Sequence, residues 1–241
     1  MKTSDYVAFS VNKLPKGYVF TYESLIDDVN KREAVIKALN RMVSAGKLAK
    51  LAKGKYYKPE QTPFGTLLPD VAQVVKDLLE EGGKPIGYLT GLSIYNRLGL
   101  TTQVSNIIQI GRNDIRSSFH RERYTISFIK QKNIITKDNI PLLQMLDTIR
   151  YIKKIPDTSI ESALKRLIAL LKGHSENELS RMVRLALKYP PSTRALLGAL
   201  LDQLGMTTLS GGLYPTLNPI TQYELIGADK VLDYTEKWNI K

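Results

Sequence analysis

The sequence predicts an α+β fold, mainly α, and three observations predict it. Between Asn30 and Gly46, apolar residues recur at spacings of three and four, and two short runs hinged on Gly54 follow. Ser105–Ile110 and Tyr124–Ile129 are rich in β-branched residues, as strands are. From Pro141 to Leu204 the chain repeats amphipathic stretches punctuated by Gly and Pro. Together they predict a winged helix-turn-helix over residues 1–60. A larger, mostly helical domain with a small β-sheet is expected over 61–241.

In chain order, Thr3 or Ser4 can cap a first helix through about Lys13, with Val7, Val11 and Leu14 on its apolar side. Pro15-Lys16-Gly17 breaks it. Val19 and Phe20 make a short extended piece. Thr21 can cap a second helix from Tyr22 to about Asp28 that buries Leu25 and Ile26. The third helix starts at Asn30, with Glu33 as its capping-box partner, and stops at Gly46. Lys47–Leu51 and Lys55–Lys58 form the wing. In a fold of this order the third helix enters the major groove.

The third helix accounts for its own charges. With Leu39 at the centre of the buried face, Lys37 and Arg41 point away from it. Ala34 and Ser44 lie beside them and Asn40 on the flank. Arg and Asn can read base edges, Lys neutralises phosphate, and the small residues permit close approach. The wing contributes Lys53 and Lys55 towards flanking phosphate or the minor groove. Lys31 and Arg32, at the helix start, complete the expected contacts. The alternative is a solvated basic face. Charge favours a polyanionic partner: the chain carries +12, and residues 1–60, with 12 Lys/Arg against 6 Asp/Glu, hold half of it.

The run Ala38-Leu39-Asn40-Arg41-Met42-Val43, then Gly46-Lys47-Leu48, then Lys53-Gly54-Lys55-Tyr56-Tyr57-Lys58-Pro59 resembles the N-terminal winged helix of the AbiEi family. These are antitoxins of abortive-infection, type IV toxin–antitoxin systems. The specific likeness covers about residues 20–60; beyond it the likeness rests on length, element order and Leu217-Asn218-Pro219. The resemblance implies a repressor of its own operon that binds double-stranded operator DNA. It implies a nucleotidyltransferase-like toxin as partner, countered through a mixed second domain. Two copies on an inverted repeat would suit a winged helix.

Gln61–Pro69, with Pro63, Gly65 and Pro69, is the expected boundary, its Phe64 and Leu67-Leu68 packed down. A helix from Pro69 to about Glu81 ends at Gly82-Gly83, and another is expected over Tyr88–Leu98. The two strands follow, enclosing a basic segment with Arg112, Arg116, His120, Arg121 and Arg123. That segment reads as a second nucleic-acid contact, a site for an acidic protein or RNA, or a solvated loop. Helices are expected over Pro141–Lys153, Ser159–Leu171, Glu176–Tyr189 and from a Ser192 or Thr193 cap to Leu204. The tail is irregular, with an extended segment at Thr221–Ile226, and is docked by Trp238 and Ile240.

The chain has no Cys, which excludes disulfides, thiolate metal sites and a Cys nucleophile. It has no signal-peptide pattern and no apolar run of membrane-spanning length, so a cytoplasmic protein is expected. Its two His residues, His120 and His174, have no metal-ligand spacing. Neither a phosphate-binding Gly-rich loop nor a Gly-x-Ser-x-Gly elbow occurs, so no cofactor and no catalysis are expected. Two other functions fit the sequence. One is an ordinary winged-helix regulator with a ligand-sensing or oligomerising domain. The other is a nuclease holding Mg²⁺ between Asp114 and Glu122 near Lys130 and Lys132, though no compact Glu-x-Lys pair follows the Asp.

Overall fold

The computed structural model of the chain describes residues 2–26, 31–63 and 65–241. Its internal contacts divide it into two compact units. One is Met1–Leu79 with His120–Tyr124; the other is Glu80–Phe119 with Thr125–Lys241. Gln61–Pro69, expected as a boundary, therefore lies inside the first unit.

The first unit runs α1 (Thr3–Lys13), β1 (Val19–Thr21), a 3₁₀ turn (Tyr22–Leu25), α2 (Arg32–Ser44), β2 (Ala49–Ala52) and β3 (Lys55–Tyr57). The strands form an antiparallel sheet in the order β1-β3-β2, with Val19 opposite Tyr57 and Ala49 opposite Tyr57. A register shift between Lys50 and Ala52 marks β2. Val7, Val11, Phe20, Leu25, Val35, Ala38, Leu39, Leu48 and Tyr56 make one buried cluster. The α2 periodicity is explained by that cluster: the helix lays Val35, Ala38 and Leu39 into it. Gly46 and Gly54 both have φ above +70°, the conformation in which Gly costs least, and each ends an element as expected.

Several expectations change in this unit. The second helix is a single 3₁₀ turn over Tyr22–Leu25, and Thr21 makes no side-chain cap because it pairs in the sheet with Lys55. Asp28 and the Asn30 cap lie outside the described residues, as does Phe64. At α1 the N-cap position is Lys2, so Thr3 is already helical and caps nothing. Beyond β3 come a hairpin, β4 (Glu60–Thr62) with β5 (Gly65–Leu67), and two short helices, α3 (Val71–Val74) and α4 (Lys76–Leu79). The single helix expected from Pro69 to Glu81 is thus broken at Val75, whose ψ of 16° leaves the helical range. Leu67 and Leu68 are exposed rather than packed.

The second unit opens with a hairpin of β6 (Glu80–Glu81) and β7 (Lys84–Pro85), turned by Gly82 and Gly83, both at positive φ. Next along the chain come β8 (Gly87–Thr90), α5 (Leu92–Arg97), β9 (Ile107–Arg112), β10 (Phe119–Arg121) and β11 (Tyr124–Lys130), of which His120 and Arg121 of β10 and Tyr124 of β11 count with the first unit. The sheet order is β10-β11-β9-β8. β8 runs antiparallel to β9, and β11 runs parallel to it with Ile126 opposite Ile108. Two strands were expected here and four are found. The helix expected over Tyr88–Leu98 is split: Gly91, at φ +71°, turns the chain from β8 into α5.

Helices α6 (Ile140–Arg150), α7 (Ile160–Leu171), α8 (Glu176–Ala186) and α9 (Pro191–Gln203) build the larger core, followed by α10 (Thr207–Ser210). Ser159 caps α7, and Ser175 with Glu178 forms a capping box on α8. The residue at the α9 N-cap is Pro190, so Ser192 and Thr193 fall within the helix. Trp238 is fully buried and closes the tail as expected. Its indole N–H donates to Asp202 at 2.8 Å, and its ring occupies the space beside Gly198 that a Cβ would fill. The tail's extended segment is reduced to a bridge between Tyr223 and Ile240.

Candidate nucleic-acid interface

Helix α2 presents Ala34, Lys37, Asn40, Arg41 and Ser44 to solvent, because burying Val35, Ala38 and Leu39 leaves the opposite face outward. Beside it, α2 and the β2–β3 hairpin enclose a groove of about 570 Å³. Arg32, Asn40, Lys53 and Lys55 line it, together with Tyr22 and Lys50. Four of the seven expected contact residues are therefore brought to one groove. Lys37 and Arg41 stand exposed on the helix outside its lining, and Lys31 occupies the α2 N-cap position.

The groove residues are held in defined ways. Arg32 Nη2 donates to the Tyr22 hydroxyl at 2.7 Å, with the guanidinium carbon 4.9 Å from the ring centroid. This fixes the charge while leaving donors outward. The Tyr22 hydroxyl in turn donates a hydrogen bond to Glu23 at 3.1 Å. The ring also lies 3.6 Å from where a Cβ on Gly54 would sit, so the hairpin turn packs on Tyr22. Tyr56 donates to Asn40 Oδ1 at 3.3 Å, and burial pushes the phenol's pKa up. Asn40 keeps its amide N–H₂ and one lone pair for a partner.

Not every wing cation is available. Lys55 is ion-paired with Asp77, which Arg121 also grips at 2.7 and 3.0 Å through both guanidinium ends. Burial lowers the Lys55 pKa, against the opposing pull of Asp77. Burial also pushes the Asp77 carboxyl up, but the bonds from Arg121 and Lys55 outweigh it and the net shift is down. Arg121 further donates to the Val74 carbonyl at 2.7 Å. Lys58 turns to the carbonyls of Asn12 and Leu14, at 3.2 and 3.5 Å. Lys53, at the hairpin tip, is exposed and without an acidic partner among the described residues. The sequence already placed Lys50 in the wing; its position in the groove was not foreseen, because a register shift beside it decides which way it faces.

The Arg-rich segment resolves into pairs. Arg112 and Arg116 each hold one oxygen of Asp114, at 2.6 and 2.7 Å, and pull its pKa down to about 2, Arg116 most strongly. Both Asp114 oxygens are thereby occupied by guanidinium groups, which disfavours a metal there. Glu122 sits in the turn between β10 and β11 at φ +51°. Among the described residues there is no group of three or more His, Asp or Glu that could hold a metal ion, and no helix long and apolar enough to cross a membrane. His174 Nδ1 lies 3.8 Å from Glu178 in the first turn of α8.

A second polar cluster, in the other unit, escaped the sequence reading. Asp147, in the middle of α6, is fully buried. It accepts from Tyr88 at 2.7 Å, Thr90 at 3.0 Å and Tyr189 at 2.9 Å. Gln131 bridges the two tyrosine hydroxyls at 2.8 Å each. Burial raises the Asp147 pKa to about 6 despite those donors. The nearest sequence signal was a charge at an apolar-facing position of a helix, which periodicity alone cannot pair with its donors.

The chain belongs to a family of unknown function, DUF6088, whose model matches residues 6–203. No curated protein matches it. Among solved structures, that of the RV2827C protein from Mycobacterium tuberculosis is similar, with a TM-score of 0.57 at 14% identity. The match covers 92% of this chain and 83% of that one. At that identity the likeness concerns the fold.

Proposed function

We propose that this DUF6088 protein is a cytoplasmic DNA-binding antitoxin whose first unit acts as a winged helix. In this reading α2 enters a major groove with Lys37, Asn40 and Arg41 towards the bases and phosphates. The β2–β3 hairpin lays Lys53, with Lys50, along the flanking backbone, and Arg32 and Lys31 hold phosphate at the helix start. Lys55 contributes less than Lys53, since Asp77 already neutralises it. Two copies on an inverted repeat upstream of its own operon would give repression. The antitoxin part, directed against a nucleotidyltransferase-like toxin through the second unit, rests on the resemblance of residues 38–59 to the AbiEi family. The DNA-binding part is carried by one observation: an exposed basic face of α2 beside a groove that gathers Arg32, Asn40 and Lys53.

The test is binding of the purified chain to its own upstream DNA and to scrambled DNA over a salt series. Each phosphate contact adds roughly −0.9 to the log–log slope. Preference for the upstream DNA, lost in Lys37→Ala and Arg41→Ala, is the expected result. Equal weak binding to both DNAs, indifferent to those changes, would reduce the face to a solvated helix surface. Co-expression with the neighbouring gene then tests the antitoxin role: growth arrest by that gene alone, relieved by this chain, is expected.

A further inference from the structure

A second concentration of positive charge lies in the second unit, in a pocket of about 320 Å³. Four cations from three separate segments meet there. Lys130 and Lys132 come from the end of β11 and the loop after it, Arg150 from the last residue of α6, and Lys188 from the link between α8 and α9. Among the described residues no carboxylate lines the pocket. None of the four forms an ion pair among the described residues, although Lys153, Lys230 and Lys237 in the same unit each do. All four are exposed, and a concavity lined by one sign of charge raises the local concentration of anions.

The pocket is also built, not a chance gathering of flexible side chains. Its floor is Gln131 and Tyr189, both buried and fixed by the Asp147 network. Lys188 Nζ donates to the Lys132 carbonyl at 3.4 Å, tying the α8–α9 link to the loop after β11. The Arg150 guanidinium rests over the Tyr151 ring, 4.9 Å from its centroid. Pro190 and Pro191, at the start of α9, form part of the pocket wall.

We propose that this pocket binds the oligophosphate chain of a small molecule, such as a nucleoside triphosphate. Lys130, Lys132 and Lys188 supply point charges, and Arg150 supplies a planar fork for two phosphate oxygens. The volume is at the small end for ligand sites and suits the phosphate chain. Gln131, the side-chain amide of the lining, spends its donors and acceptor on the two tyrosines and Asn133. Nucleoside identity should therefore matter little.

The experiment is calorimetric titration of the full chain, at physiological ionic strength, with inorganic tripolyphosphate, ATP and CTP. One saturable site of similar affinity for all three is expected. The Lys132→Gln/Lys188→Gln double variant, folded as judged by its thermal melt, should bind about tenfold more weakly. The Lys37→Gln/Arg41→Gln/Lys53→Gln triple variant should bind tripolyphosphate like the parent. Absence of saturable binding, or binding lost in the triple variant and kept in the double one, would overturn the proposal. A nucleoside triphosphate bound far more tightly than tripolyphosphate would overturn its restriction to the phosphate chain. The double variant should keep its upstream-DNA binding, so this site and the α2 reading fail independently.

Discussion

The two units place their polar chemistry in opposite ways. In the first, Lys37, Asn40 and Arg41 stand outward on α2 while an unbroken apolar cluster lies beneath. In the second, α6 carries a carboxylate inward and encloses it with three hydroxyls. Outward charges can be exchanged at little cost to folding and carry recognition. An inward carboxylate is bound up with stability, because water no longer solvates it and only its donors do.

The sharpest way to break this contrast is on the apolar side. Leu39→Ala should destabilise the protein by about 2–5 kcal/mol in urea unfolding, since Leu39 is fully buried at the centre of the α2 face. A loss under about 1 kcal/mol would mean that α2 is not held by that face. Gly198→Ala should cost about 1–3 kcal/mol or more, because its Cβ would lie 2.2 Å from the Trp238 ring. Near-equal melting temperatures of this variant and its parent would show that the tail is not docked there.

Asp147 gives an effect on the order of 2–3 kcal/mol with a definite sign. Its carboxyl titrates near 4 when unfolded and at about 6 when folded. Between those values the native state holds a proton that the unfolded chain has released. Its contribution therefore falls as pH rises from 4 to 6, and the cost is complete above that window. Compared with Asp147→Asn, the parent should lose stability across pH 4–6 and run parallel to the variant above it. A constant gap from pH 4 to 7.5 would show that Tyr88, Thr90 and Tyr189 compensate burial in full.

The smallest stability effects belong to the outward face. Lys37→Ala and Arg41→Ala should change stability by under about 0.5 kcal/mol, while each removes roughly 0.9 from the salt slope of DNA binding if it meets a phosphate. Lys53→Gln should reduce that slope, and Lys55→Gln should reduce it less, because Asp77 already occupies Lys55. Equal losses from the two would mean that the Asp77 pair opens on DNA.

These differences follow what a sequence can carry. The α2 face, the Gly46 stop and the Gly54 turn were legible, because helical period and positive-φ glycines are local properties. The Ser175–Glu178 capping box is equally local. The Tyr88–Leu98 stretch misled, since its apolar spacing fits a helix while pairing with β9 draws its first three residues into the sheet. Lys55 looked like Lys53, and only Asp77, 22 residues further on, separates them.

The sequence by itself determined the placement of α1, β1, α2 and the β2–β3 hairpin, the apolar and basic sides of α2, and the four long helices from α6 to α9. Each depends on residues within one or two turns of each other. Tertiary structure alone decided the parallel pairing of β11 with β9, the clasp on Asp77, the hydroxyls around Asp147 and the meeting of Lys130, Lys132, Arg150 and Lys188. Those contacts join residues tens of positions apart, where no periodicity links them and only the closed chain sets the distances.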